Sequence, residues 1–113
     1  MDYEATGNYG EKVIFEIDDV TPAREFLLHQ NHPNPFNSST AISFELPYQW
    51  EWQLEIFNIT GQNVRSFSGN DIGFTSVLWD GKDDAGHELS SGIYLYHLKT
   101  GEFTESKKMV ILK

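Results

Sequence analysis

The sequence predicts an all-β sandwich, and three observations predict it. Helical periodicity is lacking, short runs rich in Val, Ile, Phe, Tyr and Trp recur, and clusters of Gly, Asn, Asp and Pro separate those runs. The hydrophobic fraction of 39%, with 14% aromatic residues, lets such runs bury a common core and offset the entropy of ordering. At 113 residues the chain has room for one core but not for a deep site enclosed within it.

The elements follow in order. Lys12-Val-Ile-Phe-Glu-Ile17 reads as a first strand, and the charged stretch 18–25, with Pro22, reads as a linker that places a domain boundary near residue 25. A short apolar piece, 26–28, precedes the stiff segment Gln30-Asn-His-Pro-Asn-Pro-Phe-Asn37. Residues 40–46 then alternate, with Ile42, Phe44 and Leu46 on one face and Ala41, Ser43 and Glu45 on the other, so one face is expected in the core. Residues 52–58 set Trp52, Leu54, Ile56 and Asn58 against Gln53, Glu55 and Phe57. They end at Thr60-Gly61, a turn into residues 63–68, and the pair reads as a hairpin. Gly69-Asn-Asp71 and Gly73 mark a loop, after which Thr75, Val77 and Trp79 alternate with Ser76 and Leu78. A turn-rich loop, Asp80-Gly-Lys-Asp-Asp-Ala-Gly86, leads to residues 92–100, where Ile93, Leu95, His97 and Lys99 alternate with Tyr94, Tyr96, Leu98 and Thr100. Gly101-Glu102 turns the chain into a final strand over 103–112. About seven strands at this spacing signal an immunoglobulin-like antiparallel sandwich.

Composition removes several functions. A net charge of −9, with 17 acidic against 8 basic side chains, argues against nucleic acid, which is held by clustered Lys and Arg. No cysteine is present, so neither disulfides nor thiolate metal sites are available. The N-terminus lacks the basic and apolar regions of a secretory signal, and no stretch approaches the roughly 20 apolar residues of a membrane helix.

Candidate chemistry is sparse. His29, His32, His87 and His97 lack the i, i+4 pairing used for zinc and read as loop or surface residues. Asp80, Asp83 and Asp84 bring three carboxylates into one loop, but without the spacing of a calcium loop, so Asx-turn chemistry accounts for them better. Ser90-Ser-Gly92 lacks the G-x-S-x-G context of a nucleophile elbow, and no catalytic set or cofactor is expected. Tyr48, Trp50 and Trp52 could stack on sugar rings if exposed in a row, but on a strand they read as core and its covering.

Four motifs in sequence order carry a resemblance. Gln30-Asn-His-Pro-Asn-Pro-Phe-Asn-Ser-Ser-Thr40, Leu54-Glu-Ile-Phe-Asn-Ile-Thr-Gly-Gln-Asn-Val64, Trp79-Asp-Gly-Lys-Asp-Asp-Ala-Gly86 and Ser91-Gly-Ile-Tyr-Leu-Tyr-His-Leu98 resemble those of the C-terminal sorting domains of proteins exported by the bacterial type IX secretion system. The ending Lys107-Lys-Met-Val-Ile-Leu-Lys113 is similar to the family's ending, and the later motifs also resemble the immunoglobulin-like domain of flagellar hook-capping proteins. His32 and Ser38 depart from the family's usual Tyr and Pro. Asn31, Pro33, Asn34, Pro35, Phe36 and Asn37, then Gly61, then Trp79, Asp80, Gly81, Asp83 and Gly86, and lastly Gly92 and Tyr94 are the structural motif positions.

The resemblance implies a noncatalytic signal domain over 26–113, with residues 1–25 as the end of a passenger domain and its linker. The implied partners are the translocon, a sortase-like surface protease and the fused passenger, with no nucleic acid and no membrane insertion. The implied route runs through the periplasm to the cell surface or medium. Within this reading Lys107, Lys108, Met109, Val110, Ile111, Leu112 and Lys113 are the candidate recognition residues: a terminal edge strand, basic in an acidic chain, with one apolar pair for the core and the other for a partner. A structural or adhesive immunoglobulin-like module is the second reading, and a sugar-binding module the third.

Overall fold

A computed structural model describes residues 25–113. The strand expected over 12–17, and the linker up to residue 24, lie outside them. Five strands form one antiparallel sheet: β1 (Leu27–Leu28), β2 (Thr40–Phe57), β3 (Asn63–Trp79), β4 (Gly92–Lys99) and β5 (Thr104–Ile111). The order is β1-β2-β4-β5, with β3 along the other side of β2.

The all-β expectation holds, while the described residues carry five strands and the count of seven is not met among them. Residues 40–46 and 52–58 are not separate strands but share the 18-residue β2, while 63–68, the expected loop around Gly69 to Gly73, and 75–79 share the 17-residue β3. The reason is that the two turn-rich stretches lie opposite each other. Leu46 pairs with Gly73 and Trp50 with Asp71, so Pro47, Tyr48 and Gln49 are taken up as a bulge in β2 against the lone Ile72. Gly69 stays in the strand because the Trp52 indole covers it; a Cβ there would lie 2.6 Å from the ring.

One face of the sheet closes over one core. Ile42, Phe44, Leu46, Trp52, Leu54 and Ile56 of β2 are buried, as the alternation predicts, together with Trp79, Tyr94, Tyr96, Leu98, Met109 and Ile111. The two halves of β2 contribute to that core from opposite sides of the bulge. The Phe44 and Trp52 rings meet edge-on at 4.9 Å, and Trp79 meets Tyr94 at 6.0 Å, which makes the arrangement sandwich-like although the backbone pairing runs through a single sheet. Of the aromatic trio, Trp52 is buried and its Nε1 donates to Asp71, Trp50 packs between Tyr48 and Phe103, and only Tyr48 is open. They form no exposed row.

Candidate functional site

The candidate site is built from the C-terminal hairpin and the stiff segment that clasps it. β4 and β5 pair from Gly92 opposite Ile111 to Lys99 opposite Thr104. Strict alternation sends Met109 and Ile111 fully into the core, and leaves Leu112 exposed and Val110 half-buried on the outer face. Val110 lies opposite Ile93, and Lys108 opposite Leu95, which in turn lies opposite Phe57 of β2. Ile93, Leu95, Val110 and Leu112 thus form an apolar strip on the outer face beside Lys108, with Ile93 and Leu95 each more than 40% exposed. The strip lies in the chain's basic portion, where residues 91–113 carry four lysines against two glutamates. Lys113 reaches Glu88 at 3.3 Å and Lys107 approaches Glu105 at 3.9 Å. Sequence reasoning finds Ile93 and Leu95 as an alternating pair but not as site residues, because the signal that singles them out is their cross-strand register with β5.

The clasp occupies part of the edge that was expected to be free. Phe36 N–H donates to the Val110 carbonyl at 3.0 Å and the Phe36 carbonyl accepts from Leu112 N–H at 2.8 Å, a parallel bridge to β5. Asn34 Oδ1 accepts from Val110 N–H, and Gln30 Nε2 donates to the Lys108 carbonyl. The outward backbone groups of β5 from the Lys108 carbonyl to Leu112 N–H are therefore already paired. Phe36 is buried against Trp79, and both Pro33 and Pro35 follow cis peptide bonds.

Beneath the clasp lies a buried polar network. Asn31 is 2% exposed; its N–H donates to the Tyr96 hydroxyl, its Nδ2 to the Pro33 carbonyl and to Thr40 Oγ1, and its Oδ1 accepts from Gln30. The Tyr96 hydroxyl donates to the His29 carbonyl at 2.7 Å, and Thr40 Oγ1 to the Pro33 carbonyl at 2.8 Å. Burial pushes the Tyr96 hydroxyl up to about 12, with the Asn31 N–H opposing and Glu105 adding. The three asparagines of the segment are held differently: Asn31 bonds the Pro33 carbonyl within its own loop, Asn34 reaches β5, 76 residues away, and the Asn37 side chain makes no hydrogen bond among the described residues.

The remaining motif positions are turn and core. Asp80 Oδ1 accepts from Lys82 N–H, Asp83 Oδ1 from the N–H groups of Ala85 and His87, and Asp84 Oδ1 from Ser66 N–H, while Arg65 bridges Asp80 and Asp84. The bonds of Asp80 Oδ1 and Asp83 Oδ1 to the backbone just ahead are the Asx-type bonds that the spacing suggests, whereas Asp84 and Arg65 tie the loop to β3. The His87 N–H chiefly holds the Asp83 carboxyl below its usual range. Trp79 Nε1 donates to the Lys82 carbonyl, and Gly81 sits at φ 74° with the Phe36 ring against it, where a side chain would be strained. Gly61 takes φ 89° in the Asn58 turn, Gly86 donates its N–H to the Asp83 carbonyl, Gly92 opens β4, and Tyr94 donates its hydroxyl to the Ser90 carbonyl. Among the described residues no three His, Cys, Asp or Glu side chains converge as metal ligands.

Among the described residues an antiparallel sheet without helix, closed on one core, defines a β-sandwich-like domain. Residues 31–112 match the family described as the secretion system C-terminal sorting domain, and the chain belongs to that family. It is a sorting-signal domain of type IX secretion, whose cargo is carried to the cell surface or the extracellular space. Several solved structures share the fold, and two of them are the following. One is dimeric latent PorU from Porphyromonas gingivalis, at 21% identity and TM-score 0.63, covering 85% of this chain and 10% of that one. The other is PorZ, described as an essential surface component of the type IX secretion system of the same organism, at 16% identity and TM-score 0.55, covering 76% of this chain and 11% of that one. The chain thus spans about a tenth of each. No curated protein matches it.

Proposed function

We propose that residues 26–113 are the sorting tail of a longer exported protein, that residues 1–25 are the end of its passenger and the linker, and that the translocon reads the outer face of the β4–β5 hairpin. The observation that carries this reading is the division of labour in β5. Met109 and Ile111 are consumed by the core and the edge from Lys108 to Leu112 by the clasp, which leaves Lys108, Val110 and Leu112, with Ile93 and Leu95, for a partner. A folded signal of this kind is read after transit to the periplasm and before release at the surface. A sortase-like surface protease that removes the tail needs an extended, unpaired substrate. The pairing of Leu27 and Leu28 with Glu45 and Phe44 directs it to the chain N-terminal of β1.

The test is a fusion of residues 26–113 to a foreign periplasmic reporter in a host with the type IX machinery. The fusion is expected at the surface or in the medium, and retention in the periplasm defeats the sorting reading. A second fusion carries Leu95→Asp and Leu112→Asp, both on the outer face. It is expected to fold with an unchanged circular dichroism spectrum and to stay in the periplasm. Normal export of that folded variant removes the face as the recognition surface while leaving the sorting function intact.

A further inference from the structure

The second long edge of the sheet behaves differently from β5. Ser43 accepts at its carbonyl from His29 N–H, and Ala41 exchanges both backbone bonds with His32, so both residues turn their polar groups away from β3. Their partners across the ladder are Ser76 and Leu78, which therefore turn their own N–H and C=O outward, at the far side of β3. Alternation extends this to Phe74 and Ile72. Near the other end of β3 the Val64 carbonyl and Ser66 N–H are met by Asp84, but from 68 to 78 no described residue outside β2 hydrogen-bonds to the backbone.

An open strand of this length is normally blunted by lysine, proline or an inward charge. Residues 68–78 carry a single charge, Asp71, and its carboxylate is engaged by the Trp52 indole at 2.9 Å. Ile72, Phe74 and Leu78 stand there 51%, 67% and 69% exposed. The edge also complements itself. Antiparallel pairing about a two-fold axis at Thr75 sets Ile72 opposite Leu78 of the copy at both ends. It sets each Phe74 opposite the small Ser76 inside them, with no like charges facing each other.

From these observations we infer that the outer edge of β3 is a homodimerisation surface, joining two copies of this chain by antiparallel strand addition over residues 72–78. The pairing is independent of how the domain is sorted and is read on the purified protein. Sedimentation equilibrium of the 113-residue chain in salt of about 0.5 M, which screens its net charge of −9, is expected to show a dimer that weakens at low salt. Ser76→Pro removes an outward N–H without touching the β2 ladder and is expected to weaken dimerisation at least tenfold. Phe74→Lys gives the same result through charge and decides the matter if the proline variant does not fold, whereas Ser106→Lys on β5 leaves dimerisation unchanged. Amide exchange at Ser76 and Leu78 is expected to slow only as the dimer forms. A chain monomeric at millimolar concentration, a dimer indifferent to both β3 substitutions, or slow exchange at these amides in the monomer each overturns the inference.

Discussion

Two connections in this domain are built from the same residue types and held in opposite ways. The clasp from Asn31 to Phe36 and the loop from Asp80 to Gly86 are both rich in Asn, Asp, Pro or Gly. Yet the clasp hydrogen-bonds mostly to residues far along the chain, with separations of 65 for Asn31 to Tyr96 and 76 for Asn34 to Val110. The aspartate loop bonds largely within itself, Asp83 reaching residues two and four positions on. The clasp is therefore tertiary structure that looks like a turn, and the loop is a turn. Removing a clasp residue should destabilise the whole fold, while removing a loop residue should be felt locally.

The largest expected effect is at Phe36. Its side chain is buried against Trp79 and Gly81, and its backbone bridges β5, so Phe36→Ala should cost about 3–5 kcal/mol in chemical denaturation. A loss under about 1 kcal/mol would mean that the clasp is a covering and not a part of the core.

Asn31 follows. Asn31→Ala leaves the Thr40 hydroxyl and the Pro33 carbonyl short of a partner in a buried place, at a cost of about 2 kcal/mol. Denaturant midpoints of the two variants sharpen the comparison, because a matching substitution in the loop, Asp83→Ala, which removes only bonds to Ala85 and His87, should move the midpoint much less. Equal shifts would erase the distinction between the two connections.

How far the sequence reveals this distinction follows from the range of the forces. Asx-turn bonds join near neighbours, so the aspartate spacing from 80 to 86 makes them legible, and the period-2 pattern makes Ile42, Phe44, Leu54 and Ile56 legible as core. Stiffness in Pro33 and Pro35 is equally visible, but its purpose is not, because Val110 and Lys108 lie outside any local window. The same limit explains the strand count. Gly69, Asn70 and Gly73 have turn chemistry, and their register opposite Trp52, Glu51 and Leu46, on either side of the bulge at Pro47 to Gln49, keeps them in β3. Sheet edges and outer faces are likewise properties of pairing, which is why Lys107 to Lys113 can be singled out as terminal and basic and split by alternation into two apolar pairs, while which pair is core and that the edge is capped stay hidden.

Tyr96 ties the clasp to the hairpin and supplies a pH test. Its hydroxyl, raised to about 12, ionises less readily in the folded domain than in the unfolded chain near 10. The stability this contributes is fully present below about pH 10 and is lost as pH rises from there through about 12. Tyr96→Phe should lower stability by about 1 kcal/mol at neutral pH and shrink the difference from wild type in alkali. A difference that grows between pH 10 and 12 would show that the hydroxyl is not held by the clasp.

The smallest effect is expected at Asp83, where the linkage runs the other way. Its carboxyl is held below the usual 3.8, first by the His87 N–H, so the stability it contributes is present above that value and is lost as pH falls through the lowered one. Asp83→Asn keeps an oxygen acceptor for the Ala85 and His87 amides and discards the charge. The variant should therefore fold with an intact loop, be slightly less stable than wild type at neutral pH, and converge with it in acid. Melting temperatures of the pair from about pH 6 to pH 2 measure this directly. A gap that persists unchanged into acid would mean that the half-buried carboxylate adds no charge-dependent stability, and that its side-chain oxygen, as acceptor for the Ala85 and His87 amides, alone makes this loop.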